Sequence, residues 1–272
     1  MMRQVSVLLL LFTAYSFLGW VCESVLCSVL ARKWINRGFL NGPVCPVYGF
    51  GALLVAGCLS PLRSHALLLF LAATGLTSAL EYLTGLALET LFHARYWDYS
   101  DRRFNLQGRV CLLNSLAFGL LGSGVVLFLH PFLLGLAAAV PAAALPFLAG
   151  GLLLVFLLDT ALTVNAVYNL NGKLDELQKI LDDLRGRAQS AAGETVGALQ
   201  ASLLARLDDD TRARLKALFE RAGRVESFLR AVQRRILRAF PSMRALRNNE
   251  SLQRVREFIQ TRAARAKSAL RK

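Results

Sequence analysis

The sequence WINRGFLNGPVCPVYGFGALL, residues 34–54, separates two strongly apolar segments. Its glycines and prolines are unfavourable inside a helix, because proline lacks an amide N–H and glycine has the largest backbone entropy to lose. It is nevertheless too apolar for an ordinary solvated loop. Non-helical backbone is tolerated at membrane depth only where protein or a water-filled cavity satisfies its polar groups. We therefore predict a re-entrant segment near residues 36–49 that enters the membrane and turns back.

The composition divides the 272-residue chain into two regions of different character. Residues 1–170 are mainly apolar, whereas residues 171–272 carry 23 of the 32 basic and 12 of the 18 acidic residues, a net charge of +11. An apolar region followed by a basic, helix-prone one is typical of an integral membrane domain with a soluble appendage. We predict a transmembrane domain over residues 1–170 and a helical, basic cytoplasmic tail over 171–272.

Apolar segments of about spanning length predict the transmembrane helices, since about 20 residues cross a bilayer core of roughly 30 Å. They cover residues 5–31, 47–62, 66–92, 110–129 and 145–168, of which the second is short. Pro131 and Pro141 argue against a helix between the last two, so we predict a loop at the membrane interface over 131–145. The fold prediction is an all-α polytopic membrane protein with about five transmembrane helices, six being the alternative.

Lysine and arginine placement predicts the orientation, because these residues accumulate in cytoplasmic loops. Three follow the first predicted helix and four follow the third, whereas the opposite side has only Arg3 and Arg63. The seven are Arg32, Lys33, Arg37, Arg95, Arg102, Arg103 and Arg109. Placing them inside also places the basic tail inside. We therefore predict a multi-pass plasma-membrane protein with its N-terminus outside and its C-terminus in the cytoplasm.

Two acidic residues within predicted spans, Glu23 and Glu81, mark the candidate site. An acidic residue at the bilayer centre costs roughly 2.5–3.5 kcal/mol on insertion scales, so it needs a partner or a cavity. Arg37 and Arg109 start from the same side and are predicted to pair with these acids. The alternative is that such pairs only hold helices together. We favour that structural interpretation for two further acids, Glu89 and Asp159.

The predicted pocket has a rim of polar and aromatic residues, for which a simple interfacial role is the alternative. The rim consists of Asn36, Tyr48, Trp97, Asp98, Tyr99 and Asn105. Small and helix-breaking residues are assigned to turns and close helix packing. They are Gly38, Gly42, Pro43, Pro46, Gly49, Gly108, Ser115 and Gly119. Gly42 lies nineteen residues after Glu23, and Gly108 lies nineteen residues after Glu89. This equal spacing suggests a short parallel repeat.

Five motifs carry a resemblance to a known family. They are YSFLGWVCE (15–23), NRGFLNGPVCPVYGFG (36–51), EYLTG (81–85), WDYSDRRFNLQGRVCLLNS (97–115) and FG (118–119). Together they resemble the bacterial type IV ABC-transporter permease family over roughly residues 10–125. The resemblance implies a transport permease and a separate ATPase subunit as partner, and Phe118 stands where the family often has tryptophan. The chain itself contains no G-x-x-x-x-G-K-[ST] sequence for ATP hydrolysis.

The tail combines a leucine repeat with a basic helix. Leucines at 174, 177, 181 and 184 have the spacing of a short coiled coil. Arg230, Arg234, Arg235 and Arg238 lie in an amphipathic stretch that we predict to bind anionic lipids of the inner leaflet. A solvated basic face is the alternative. Nucleic acid is not favoured, because no recognised motif accompanies these arginines.

The function predicted first is a transport permease that binds a polar or anionic solute, or a lipid headgroup, in the pocket of glutamates and arginines. One alternative is an intramembrane enzyme acting on a lipid-linked substrate, with Glu23 or Glu81 as general base. Another is a membrane assembly or scaffold protein. The sequence shows no recognisable catalytic nucleophile, group of metal ligands or cofactor-binding motif, so we favour a non-enzymatic role without cofactors. Association of the chain with further copies of itself, as a homo-oligomer, is also predicted.

Overall fold

The computed structural model of the chain describes residues 2–191, 231–240, 242–246 and 249–257. This part is mainly helical, and its strands are only two residues long. The helices are α1 (Met2–Ala31), α2 (Pro46–Leu59), α3 (Ala66–Phe92), α4 (Leu112–Gly124), α5 (His130–Ala139), α6 (Leu145–Ala191) and α7 (Ala231–Ala239); the strands are β1 (Ala94–Arg95), β2 (Asn105–Leu106), β3 (Val110–Cys111) and β4 (Arg244–Ala245). Residues 249–257 are also helical.

Four helices are long and apolar enough to cross a membrane: Met2–Ala31, Ala66–Phe92, Leu112–Ala139 and Leu145–Glu176. The apolar helix Pro46–Leu62, which is α2 with a final 3-10 turn, is shorter. The prediction of an all-α, multi-pass membrane protein is thereby confirmed, including the short second segment. Many large apolar side chains on these helices are exposed, as expected of surfaces that face lipid.

The predicted interfacial loop over 131–145 is wrong. α4, a π-helical turn (Val125–Leu129) and α5 follow one another without a break, and only residues 140–144 are non-helical. Pro131 lies in the first turn of α5, directly after the π turn. The wider hydrogen-bond spacing of that turn restarts the helical register, so the missing proline N–H falls where a helix does not need it.

The chain divides into two compact units. The first contains Met1–Asn165 and Arg235–Arg244, and the second contains the described residues of Ala166–Arg234 and of Ala245–Lys272. Residues 235–244, which belong to the predicted tail, therefore form part of the first unit. The division of the sequence at residue 170 stays a prediction.

In the second unit, polar contacts connect elements far apart in sequence. The Gln233 side-chain amide donates to the Ala166 carbonyl at 3.0 Å, and the Ser251 hydroxyl donates to Gln178 at 2.8 Å. Leu174, the first leucine of the predicted coiled coil, is buried. The side chains of the other three leucines, residues 177, 181 and 184, lie outside what the structure describes.

The helices of the first unit pack through small residues, which let backbones approach closely. A Cβ atom added at Gly119 of α4 would overlap Thr74 of α3. One added at Gly19 of α1 would overlap the Tyr48 side chain of α2. An apolar core that includes Leu69 and Val126 fills the far end of the unit, away from the loops before α2 and α4.

The segment before α2 runs along α1 and uses its serines as partners. The Ile35 amide donates to the Ser28 hydroxyl at 2.9 Å, and the Arg37 amide donates to the Ser24 hydroxyl at 3.2 Å. These serines are one helical turn apart, so they lie on one face of α1. Polar side chains of α1 thus satisfy backbone groups that no helix or strand pairs.

The same face of α1 continues to contact the segment at greater depth. Trp20 donates from its indole N–H to the Asn36 side chain at 2.7 Å, and the Cys45 amide donates to the Ser16 carbonyl at 2.8 Å. Ser16 lies fifteen residues before Ala31, about 22 Å along the axis at 1.5 Å per residue. The chain therefore runs back far along α1 before α2 begins. The name re-entrant segment is kept for it, and its depth in a membrane stays a prediction.

Asp159 of α6 holds the tip of this segment. One carboxylate oxygen accepts from the Asn41 amide at 3.1 Å and the other accepts from the Gly42 amide at 2.8 Å. A Cβ added at Gly42 would lie 3.2 Å from the carboxylate, so glycine permits the close approach. Asp159 thus accepts hydrogen bonds from two backbone N–H groups that have no other acceptor among the described residues.

We expect Asp159→Ala to lower the free energy of unfolding by about 1–3 kcal/mol, because it leaves two backbone donors without acceptors. Asp159→Asn should lose less, since its amide oxygen still accepts one of the two bonds. Thermal unfolding in detergent, followed by size-exclusion chromatography, measures both. Equal stability of the alanine variant and the wild type would contradict the assigned role.

Candidate functional site

The first acid of the site, Glu23, has partners on three elements. Tyr48 of α2 donates to one carboxylate oxygen at 2.7 Å, and the Arg37 Nε of the re-entrant segment lies 3.5 Å from the other. Cys27, one turn along α1, is a weak third contact at 3.9 Å. The Glu23 side chain retains 28% exposure, so it remains accessible despite these partners.

The second acid, Glu81 of α3, has fewer partners. It hydrogen-bonds with the Tyr99 hydroxyl and interacts electrostatically with Glu23. The Oε2 atom of this carboxylate is buried and has no hydrogen-bond partner among the described residues. Tyr99 also bonds Asn114, and burial, reinforced by Glu81 and Glu23, raises the pKa of Tyr99. Tyr99 therefore stays protonated and can donate to a carboxylate.

Arg109 pairs with Glu89, which differs from its predicted pairing with Glu23 and Glu81. Its Nη2 lies 2.7 Å from one oxygen of the buried Glu89 carboxylate, and the Arg95 Nε lies 2.9 Å from the other. The hydrogen bond with Glu89 raises the pKa of Arg109, so the guanidinium stays charged. Of the two structural interpretations of Glu89, a solvated helix end and an ion pair at the helix end, the contacts agree with the ion pair.

The surroundings of the Glu89 pairs are closely packed. The Trp97 indole donates to the Arg109 carbonyl at 2.8 Å, and its ring lies against Gly85 of α3. The side chains here close on one another and leave no room for a solute. Trp97 and Arg109 thus belong to the packing around Glu89 in the structure, and their part in solute binding stays a prediction.

Asp98 and Asn105 organise the loop between β1 and β3. Asn105 donates to the carbonyls of Ser100 and Arg102 and accepts from the Gly108 amide at 3.0 Å. Asp98 accepts from the Ser100 amide at 3.0 Å. Gly108 has a φ of +73°, and a Cβ there would lie 2.8 Å from Asp98, so only glycine fits.

Asp98 makes a pH-dependent contribution to the stability of this loop. The Ser100 hydroxyl and amide bonds, and the facing Arg244 and Arg95, hold the pKa of Asp98 below its usual value. A carboxyl with a lowered pKa stabilises the folded state above its ordinary pKa and loses that contribution as the pH falls through the folded-state pKa. The wild type should therefore lose its advantage over Asp98→Asn below about pH 4. Thermal unfolding between pH 7 and 3 measures this, with the exposed Asp101→Asn as control; parallel pH curves for all three proteins would contradict it.

A family model matches residues 10–164, more than half of the chain. The chain belongs to the family described as "Putative ABC-transporter type IV". Searches of curated proteins and of solved structures return no match. The resemblance predicted from the motifs is thereby confirmed. The family match contains Glu23, Glu81, Glu89 and the whole re-entrant segment, and it ends before residues 235–244.

Within this ABC-transporter-type family match, the two predicted repeat units have two structural features in common. Cys45 is the residue before α2, Cys111 is the residue before α4, and both are buried with extended backbone. They are 66 residues apart, as are Glu23 and Glu89. Each glutamate also pairs with an arginine from the segment that follows its helix, Arg37 in one case and Arg109 in the other.

The other small residues predicted from the motifs occupy turns and helix faces. Pro46 begins α2, where a missing N–H is harmless, and a Cβ at Gly49 would overlap Ser16. Gly38 and Pro43 lie in the non-helical part of the re-entrant segment. Ser115 is buried on the same helix as Gly119.

The arginines predicted to bind lipid have different environments in the structure. Arg235 donates to the carbonyls of Gly38 and Phe39 at 2.9 and 2.8 Å, so its side chain contacts protein. Arg238 is exposed. Arg230 and the side chain of Arg234 lie outside the described residues. Lipid binding by this group stays a prediction.

Two features of the site were not predicted from the sequence. The first is the pair Ser24 and Ser28, one turn apart on α1. Their spacing places them on one polar face of a membrane helix, and this could have been recognised in the sequence. The second is the contact of Arg235 and Phe240 with the re-entrant segment. No sequence pattern predicts this contact, because about 200 residues separate the two parts of the chain. Across the described part of the chain, no three His, Cys, Asp or Glu side chains form a metal-binding group.

Proposed function

We propose that the protein is a membrane permease of a transport system and that Glu23, Arg37, Tyr48, Glu81 and Tyr99 form its binding centre. The observation that supports this most directly is the contrast between the two glutamate–arginine sites. Glu89 is buried between two arginines, whereas Glu23 is partly exposed and faces a single arginine nitrogen at 3.5 Å. A loose, accessible pair can exchange partners with a solute, and a closed one cannot.

Arg37 would recognise the solute in this proposal. Its guanidinium matches carboxylate and phosphate groups, so a polar or anionic solute, or a lipid headgroup, is the expected ligand. Glu23 would then release Arg37, with Tyr48 retaining the freed carboxylate. Glu81 would hold a proton or a second polar group of the solute through its partnerless oxygen. With the predicted orientation, this centre opens to the cytoplasm.

A separate ATPase subunit would supply energy, because the chain has no nucleotide-binding motif of its own. The family's name supports an ATPase partner in general terms. We propose that the ATPase contacts the loops before α2 and α4, which the predicted orientation places in the cytoplasm.

Purification from native membranes in mild detergent tests the proposal, with mass spectrometry of the bound proteins, lipids and small molecules. We expect a polar or anionic molecule that the wild type retains and that Arg37→Ala and Glu23→Gln lose at least tenfold. Arg63→Ala is the matched control, since Arg63 is exposed at the opposite end of α2. Recovery of a Walker-containing ATPase would support the transport assignment. An identical set of bound molecules in all four proteins would contradict it.

An intramembrane enzyme is the second candidate, and the partnerless Glu81 oxygen favours it. A buried carboxylate oxygen with no donor among the described residues can serve as general base toward a substrate hydroxyl. Glu81→Gln would then abolish turnover of a bound lipid-linked molecule without lowering its recovery. A permease in which Glu81 contacts solute should instead lose recovery. A scaffold, the third alternative, should be insensitive to both Glu23→Gln and Glu81→Gln.

A further inference from the structure

We propose that residues 235–240 are a releasable latch that closes the re-entrant segment over the Arg37–Glu23 pair and so controls access to the binding centre. The proposal rests on the function assigned to that centre above. It concerns a segment beyond the family match, which ends at residue 164. The latch is closed in the structure.

Arg235 makes the first contact of the latch. Its two terminal nitrogens donate separately to consecutive carbonyls of the re-entrant segment, Gly38 at 2.9 Å and Phe39 at 2.8 Å. Carbonyls in a non-helical segment at membrane depth need donors. Arg235 supplies both with one side chain, so its position determines the position of residues 38 and 39.

Arg37 makes the second contact in the opposite direction. Its Nη1 donates to the Ala239 carbonyl, and its guanidinium lies 4.8 Å from the centre of the Phe240 ring. The same guanidinium faces Glu23 through Nε. With the latch closed, Nη1 and one face of the Arg37 guanidinium are covered, so a solute anion that binds both terminal nitrogens has to displace the latch.

Phe240 and Arg244 extend the closure to the neighbouring loop. The Phe240 ring packs edge-to-face on Tyr96 at 5.1 Å, within a cluster that also contains Phe39. Arg244 pairs with Asp98 at 3.1 Å. The segment therefore contacts both the re-entrant segment and the loop after α3, and its release would free both together.

The contacts of Arg235 suit a reversible closure. Its partners are neutral carbonyls, and its Nε has no hydrogen-bond partner among the described residues. Burial lowers the pKa of Arg235, and the charge of Asp159 partly opposes that shift. No ion pair of Arg235 occurs among the described contacts, so hydrogen bonds to carbonyls, and not a salt bridge, hold this end of the latch.

Cys45 reports on the latch. Its thiol is buried at the deep end of the re-entrant segment and interacts electrostatically with Arg235. The test uses the full-length chain in mild detergent, with the other four cysteines replaced by alanine, and follows labelling of Cys45 by a hydrophilic maleimide. We expect Arg235→Ala and Phe240→Leu to label at least tenfold faster than the parent. Arg238→Ala, on the exposed face of α7, should label at the parent rate.

Two results would overturn the latch: unchanged labelling in both variants, or equally fast labelling in Arg238→Ala. Phe240→Leu retains apolar bulk, so it keeps the test valid if Arg235→Ala does not fold. Labelling needs no solute, which separates this test from that of the proposed function. Fast labelling with unchanged ligand recovery in Arg37→Ala would leave the latch intact and reject the binding centre.

Discussion

Glu89→Ala should produce the largest loss of stability of any single substitution considered for this protein. The carboxylate is buried at the end of α3 and binds Arg95 at 2.9 Å and Arg109 at 2.7 Å. Removing one partner of a buried ion pair costs about 3–5 kcal/mol, because a charge is left desolvated and uncompensated. Here two guanidiniums lose the same partner. We expect the variant to fail to yield a monodisperse folded protein, or to unfold far below the wild type.

Asp101→Ala is the control for this experiment. Asp101 is an exposed acid in the loop after α3, and its removal also changes the charge by one. Surface substitutions of this kind usually change stability by no more than about 0.5 kcal/mol. Size-exclusion chromatography and thermal unfolding in the same detergent compare the two. If Glu89→Ala unfolded within the range of the control, the Glu89 pairs would contribute nothing net to the fold.

Gly19→Ala should destabilise the α1–α2 pair and disturb the binding centre together. The added methyl group would overlap the Tyr48 side chain at its Cβ, where a rotamer change gives little relief. Overpacking of this kind typically costs about 1–3 kcal/mol. Tyr48 also donates to Glu23 at 2.7 Å, and we expect that bond to be lost when the ring moves.

Gly57→Ala tests the effect of the methyl group alone. Gly57 lies on α2, and a Cβ there would meet no heavy atom within 4 Å. Alanine is the better helix former by roughly 0.5–1 kcal/mol, so this variant should be at least as stable as the wild type. Tyr48→Phe separates the two effects of Gly19→Ala, since it removes the hydroxyl and retains the ring. Equal thermal midpoints for Gly19→Ala and Gly57→Ala would refute the close packing of α1 on α2.

The positions of the helices could be predicted because apolar length is a local property. The segments 5–31, 66–92 and 145–168 lie within observed helices, and the non-helical backbone before α2 follows from its Gly and Pro content. The error at 131–145 also has a local origin. A proline within an apolar run usually ends a helix, but a π turn changes the hydrogen-bond register without leaving any mark in composition.

The pairing of charges was not determined by the sequence. Arg37 and Arg109 both follow apolar helices and both could face Glu23 or Glu81 by depth alone. The depth of a residue along a helix axis does not determine which neighbouring helix or loop its side chain contacts. The structure gives Arg37 to Glu23 and Arg109 to Glu89, and it leaves one Glu81 oxygen without a described partner.

The sequence by itself determined that this chain is a multi-pass helical membrane protein of its family, with acids in its apolar helices and a non-helical Gly- and Pro-rich segment between the first two helices. Length, hydropathy and motif spacing are sufficient for that, because each acts within a few turns of chain. Only the tertiary structure decided that Arg235 and Phe240 hold the re-entrant segment and that Asp159 holds its tip. Those contacts join residues more than 100 positions apart, and only packing in three dimensions selects them.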